Sequence, residues 1–168
     1  RPDDRPWILN VNFNHLHRFV PPRDLWDHYD PLVRFEDLDE RYTEDASGLH
    51  PFHRAFSRHT SFDLVRPQDV RRAHVGYYGL CEVMDRNVGR ILDAVEELGL
   101  TGDTLLVYTS DHGGSLGAHA NLDHGSLYED SIRVPLVFAG PDVRSGAVED
   151  LPVSHLDLFP TLCEAVGG

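Results

Sequence analysis

The sequence contains no lysine. All 15 of its basic residues are arginines, set against 28 aspartates and glutamates, for a formal net charge of -13. A surface with that balance repels polyanions, which excludes DNA and RNA as expected partners. A lysine-poor genome is the bland source of the bias; its chemical consequence is that any site calling for an ammonium must use another group. Cysteine is nearly as scarce. Cys81 and Cys163 stand far apart, each inside an apolar helical pattern, with neither zinc-site nor redox-pair spacing. Buried free thiols are the expected state, and a disulfide between the two stays open. No apolar run approaches the ~20 residues of a membrane-spanning helix. The opening Arg1-Pro2-Asp3-Asp4-Arg5-Pro6 is polar and broken by proline, unlike a signal peptide.

What is present suits one compact domain. The 168 residues are 40% hydrophobic, enough to bury a core. Trp7 to Phe13 alternates apolar and polar residues and reads as a strand delivering His15-Leu16-His17 at its end. From Pro21-Pro22 to about residue 70 there is no clean period, and an irregular excursion with short helical turns is expected. The pattern then sharpens. Leu80, Met84, Val88, Ile91, Val95 and Leu98 form one apolar helical stripe, closed by Gly99 as the residue beyond the helix.

Thr104 to Thr109 is a nearly unbroken apolar run, as in a buried parallel strand, and it stops at Ser110-Asp111-His112-Gly113-Gly114. A glycine-rich loop, a helical turn near Leu127 to Ser131, a second strand over Pro135 to Ala139 and a helix from about Asp157 to Val166 complete the chain. Ser154 or Asp157 caps that helix, and Pro160 lies in its first turn. Helix, strand, loop, strand, helix predicts an α/β fold with a mainly parallel sheet flanked by helices.

Asp111-His112 is the leading site candidate. A carboxylate and an imidazole stand side by side where a strand ends, the edge at which open α/β sheets bind ligands. Glycines 113, 114, 117 and 125 would let the backbone pass close to a bound ion or anion. An oxygen ligand beside an imidazole suits a divalent cation, although two ligands do not name the metal. By itself the pair is equally compatible with a structural role.

Its surroundings are more specific. Thr109-Ser110-Asp111-His112-Gly113, Leu116-Gly117-Ala118-His119 and Gly125-Ser126-Leu127-Tyr128-Glu129-Asp130-Ser131-Ile132-Arg133-Val134-Pro135-Leu136 together resemble the second signature region of the sulfatase family, within the alkaline phosphatase superfamily. The preceding helix, with Asp85, Val88-Gly89-Arg90 and Leu98-Gly99, is similar to the family's, and so is Val153-Ser154-His155-Leu156-Asp157-Leu158-Phe159-Pro160-Thr161-Leu162. The first strand followed by His17 resembles the substrate-histidine segment, without the prolines that usually flank that histidine. Only about residues 35 to 70 lie outside the resemblance.

The resemblance implies an alkaline-phosphatase-like partial domain over residues 1–168, the second half of a catalytic core. It implies cleavage of a small-molecule or carbohydrate sulfate ester by the full-length protein. Asp111 and His112 match two ligands of a divalent metal, calcium in most members. His17 matches the histidine that contacts the transferred sulfate and the leaving-group oxygen. The remaining carboxylate ligands and the formylglycine nucleophile, made from Cys or Ser in a C/S-x-P/A-x-R motif, are expected upstream. Neither Cys81-Glu82-Val83-Met84-Asp85 nor Cys163-Glu164-Ala165-Val166-Gly167 fits that motif. The 168 residues are therefore expected to be inert without the remainder of the catalytic domain.

The departure that matters is His124. It stands where the family places a sulfate-gripping lysine, just before Gly125-Ser126-Leu127-Tyr128. An imidazole donates to an anion when protonated and binds a metal when neutral, so either role is open here. A phosphodiesterase or phosphonate monoester hydrolase on the same scaffold, or a non-catalytic remnant in which His124 is drift, are the competing readings. Tyr128 and Glu129 are expected to orient the turn that carries His124. The histidines at 28, 50, 53, 59, 74, 119 and 155 are expected to pack, cap or face solvent.

Overall fold

The computed structural model describes residues 6–14, 19–37, 42 and 46–167. They fall into two compact units, one of residues 1–12 with 144–168 and one of residues 13–143. The larger unit begins with α1 (Arg23–Tyr29) and α2 (Pro51–His59), followed by the long α3 (Pro67–Glu97). Then come β1 (Leu106–Thr109), the four-residue α4 (Glu129–Ile132) and β2 (Leu136–Ala139). The smaller unit holds α5 (Leu158–Ala165).

The limits of α3 follow from local chemistry. Pro67 occupies its first turn, and the Asp69 carboxylate accepts from the Arg66 backbone N–H at 3.1 Å and from its guanidinium at 2.8 and 3.0 Å. At the other end Gly99 adopts φ +65°. There the Leu100 N–H reaches the Val95 carbonyl at 2.9 Å and the Gly99 N–H that of Glu96 at 2.8 Å, the two bonds of a Schellman turn. The predicted stripe and its glycine stop are both found.

The amino half of α3 carries the core. Val70, Ala73, Val75 and Leu80 are buried on it, Leu25 and Val33 are buried in the segment before it, and α1 packs on α3. Each large apolar side chain buried there contributes about 1.5–3 kcal/mol. Gly76 permits the close approach, since a Cβ on it would lie 2.0 Å from the Phe19 carbonyl oxygen. Arg71 staples the contact, donating to the Val33 carbonyl at 2.7 Å, to the Asp30 carboxylate at 2.9 Å and to the Asp30 carbonyl.

The sheet departs from expectation. Among the described residues it has two strands, β1 and β2, and they run antiparallel, with Leu106 opposite Ala139 and Thr109 opposite Leu136. A parallel pair needs a crossover that returns the chain to the starting edge, usually a helix laid across the sheet. Residues 110–135 hold only one 3-10 turn and the single turn of α4, so the chain reverses instead of crossing over. The mainly parallel sheet is thus replaced by a helix-rich partial domain with a small antiparallel sheet. Trp7 to Phe13, read as the first strand, has no strand structure. The segment before α3 is irregular with short turns, as expected, except that α2 is a full nine-residue helix.

In the smaller unit, Ser154 and Asp157 form the reciprocal cap. The Leu156 N–H donates to Ser154 Oγ at 3.1 Å and the Ser154 N–H to the Asp157 carboxylate at 2.7 Å. Both cysteines are free thiols.

Candidate active site

The site is built where β1 ends. Ser110 Oγ donates to the His112 carbonyl at 2.7 Å, and the Asp111 carboxylate accepts the His112 N–H at 2.9 Å. That backbone bond, followed by the charge of His112, holds the Asp111 carboxyl below the usual carboxylate range. Its side chain is 85% exposed and ionised, an oxygen donor open to a ligand. The His112 ring is half-buried, and its Nδ1–H donates to the Gly113 carbonyl at 2.8 Å, directing Nε2 to the side of Asp111, 3.7 Å away.

The chain then loops away and returns. His124, 12 residues further on, lays its ring against that of His112, with centroids 3.8 Å apart and an interplanar angle of 16°. Asp111, His112 and His124 therefore share one site. His17 and its neighbour His15 lie outside the described residues.

The returning loop is held by groups that the sequence did not reveal. Ser115, Asn121, Ser126 and Ser131 are all buried. Asn121 Nδ2 donates to Ser115 Oγ at 3.3 Å, while Ser131 Oγ lies 2.8 Å from Ser126 Oγ and 3.4 Å from Ser115 Oγ. Buried hydroxyls and amides satisfied by one another fix a unique loop geometry. The only sequence signal was the Asn121-x-Asp123 spacing of an Asx turn, in which Asn121 Oδ1 accepts the Asp123 N–H at 2.9 Å.

Backbone strain gathers in the same loop. Leu116, His119 and Ala120 adopt left-handed φ values of 49°, 54° and 52°, which side chains with a Cβ seldom take and which concentrate at functional sites. Aromatic packing offsets part of this cost. His119 stacks on Tyr128 with centroids 3.7 Å apart, and the ring of His53, from α2, lies 4.6 Å from that of Tyr128. Burial, then the neighbouring charges of His50 and His119, lower the pKa of His53. His119 thus packs, one of the roles expected of it.

Three of the four loop glycines stand where protein comes close. A Cβ on Gly113 would lie 2.1 Å from the Asp130 carbonyl oxygen, one on Gly117 2.6 Å from Val70, and one on Gly125 2.3 Å from the Phe56 ring. They let protein approach protein.

A divalent cation suits the two donors as far as they go: an ionised carboxylate oxygen and an imidazole whose Nδ1 is already taken by a carbonyl. Among the described residues no cluster of three or more histidine, cysteine, aspartate or glutamate side chains is arranged to hold a metal ion.

The chain belongs to the sulfatase family, within the alkaline phosphatase superfamily; the family's model matches residues 1–168. It is 33% identical over 165 residues to the choline-sulfatase of Rhizobium meliloti (strain 1021), covering 97% of this chain and 32% of that protein. It is 34% identical over 100 residues to arylsulfatase K of Danio rerio, covering 60% and 19%. Among solved structures it is similar to the phosphonate monoester hydrolase of Agrobacterium radiobacter, with a TM-score of 0.71 at 27% identity over 98% of this chain and 36% of that one. The chain thus spans about a third or less of the length of these relatives. Sulfatases are typically metal-dependent hydrolases. No helix of the described residues is long and apolar enough to cross a membrane.

Proposed function

We propose that the whole protein hydrolyses a sulfate ester of a small molecule or carbohydrate, and that residues 1–168 are the second portion of its catalytic domain. The observation that carries this is the grouping of Asp111, His112 and His124 at the end of β1, in a chain of the sulfatase family. In this reading Asp111 and His112 Nε2 are two of the ligands of a divalent metal, with calcium as the ion. Such a cation supplies positive charge for the nucleophile's oxyanion and for one ester oxygen. His124 contacts the transferred group, and His17 donates to the leaving-group oxygen. The nucleophile, a formylglycine, and the other carboxylate ligands belong to the remainder of the domain. Its packing would also cover Tyr108, Ile132 and Val137, apolar side chains about half exposed here.

A phosphonate monoester hydrolase is the second reading. It is favoured by the 0.71 TM-score to the Agrobacterium radiobacter phosphonate monoester hydrolase and by a histidine at position 124 in place of lysine. Parallel kinetics of the whole protein on choline sulfate, an aryl sulfate and an aryl phosphonate monoester separate the two. A higher kcat/KM on a sulfate supports the first reading, and a preference for the phosphonate replaces it with the second. In the sulfate case, His124→Lys is expected to retain turnover.

A further inference from the structure

Asp123 is a carboxylate that neither the proposed metal site nor the nucleophile requires. One of its oxygens accepts the His124 N–H at 2.8 Å and lies 2.6 Å from His124 Nδ1 in an ion-pair contact. Adjacent residues do not meet this way by default; here the peptide of Asp123 is clamped first. Buried Asn121 takes the Asp123 N–H at 2.9 Å and donates to its carbonyl at 3.0 Å, and the Ser115 N–H donates to the same carbonyl at 3.1 Å. With the backbone fixed on both sides, the side chain of Asp123 loses little further freedom in reaching the ring. That loss of freedom is the usual reason exposed ion pairs contribute little.

A carboxylate presents only lone pairs, so a ring nitrogen held this close to it favours carrying the hydrogen, and that nitrogen is Nδ1. With Nδ1 committed, the chemistry of the ring falls to Nε2. His112 follows the same logic through a different acceptor, its Nδ1–H being taken by the Gly113 carbonyl. Two stacked imidazoles, each with Nδ1 tied to a fixed oxygen, are oriented as a pair.

We infer that Asp123 is a positioning residue for His124, fixing its tautomer and ring plane so that Nε2 is the nitrogen offered to the substrate's anionic group or to a metal. The inference rests on the proposed function for the identity of that group, while the tautomer itself does not depend on it.

Long-range 1H–15N spectra of the whole protein, labelled at histidine, read that tautomer directly. The neutral His124 ring is expected as Nδ1–H in the wild type and in Asp123→Asn, which keeps an acceptor oxygen at the same reach. In Asp123→Ala the Nε2–H form is expected to appear, with kcat/KM falling about 10- to 100-fold, the usual cost of removing an orienting partner. An Nε2–H ring in the wild type, or a ring unchanged in Asp123→Ala, overturns the inference. Absence of sulfate ester turnover by the wild type would remove the proposed function while leaving the spectra to decide this point.

Discussion

Gly113 is the most exposed weakness of the loop, and its replacement can be worked out in advance. A Cβ there would lie 2.1 Å from the Asp130 carbonyl oxygen and 3.1 Å from its carbon, both backbone atoms that no rotamer change can move. Opening the gap by the required ångström would also break the 2.8 Å bond from the Gly113 N–H to the Ser131 carbonyl. Overpacking of this kind costs ~1–3 kcal/mol, and the lost hydrogen bond about 1 kcal/mol more. Gly113→Ala is therefore expected to lower stability by about 2–4 kcal/mol, a large share of a typical domain's ~5–15 kcal/mol. Gly114 is the internal control, since a Cβ on it meets nothing within 4 Å and its φ is not positive. Gly114→Ala is expected within about 1 kcal/mol of the wild type, on the stabilising side if anything. Chemical denaturation of the whole protein carrying each substitution measures both. Equal effects of the two, or a Gly113→Ala protein as stable as the wild type, would refute the packing of α4 on the strand end.

Two further outcomes follow from the core. His74 is 3% exposed, its Nδ1–H donates to the Val70 carbonyl at 2.9 Å, and its Nε2 is buried without a partner, so burial lowers its pKa. The unfolded chain then binds the proton first, and stability is expected to fall as pH drops below ~6.5. His74→Leu should flatten that acid-side slope in denaturation curves taken from pH 8 to 5. Arg71→Ala removes charge-assisted donors to Asp30 and Val33 and should cost about 1.5–3 kcal/mol. Arg71→Lys should recover little in the same assay, because an ammonium cannot reproduce the fork.

The elements that were legible in sequence are those whose cause is local. The stripe from Leu80 to Leu98 and the Gly99 stop specify α3, and the apolar runs ending at Thr109 and Ala139 specify β1 and β2. Ser154 and Asp157 announce the start of the last helix. Asp111 and His112 were singled out from residue type and order and His124 from the family resemblance, and the return of the loop onto the strand end brings His124 against His112. Strand direction was not legible. An apolar run says that a strand is buried, whereas parallel or antiparallel pairing depends on what the intervening 26 residues do. Helix α2 was hidden because Phe52 and Phe56 stand among histidines and arginines, which blur the apolar period. The neighbours of the loop glycines were not legible either: glycine records that something comes close, and the fold decides that at 113, 117 and 125 it is Asp130, Val70 and Phe56.

The most direct test of the central claim is metal content and sulfate ester turnover measured together on the whole protein, wild type against Asp111→Ala. The account predicts that the substitution removes bound divalent metal and abolishes turnover while circular dichroism stays native, because the Asp111 side chain is 85% exposed and supports nothing in the core. Full metal occupancy and undiminished turnover in Asp111→Ala would contradict it.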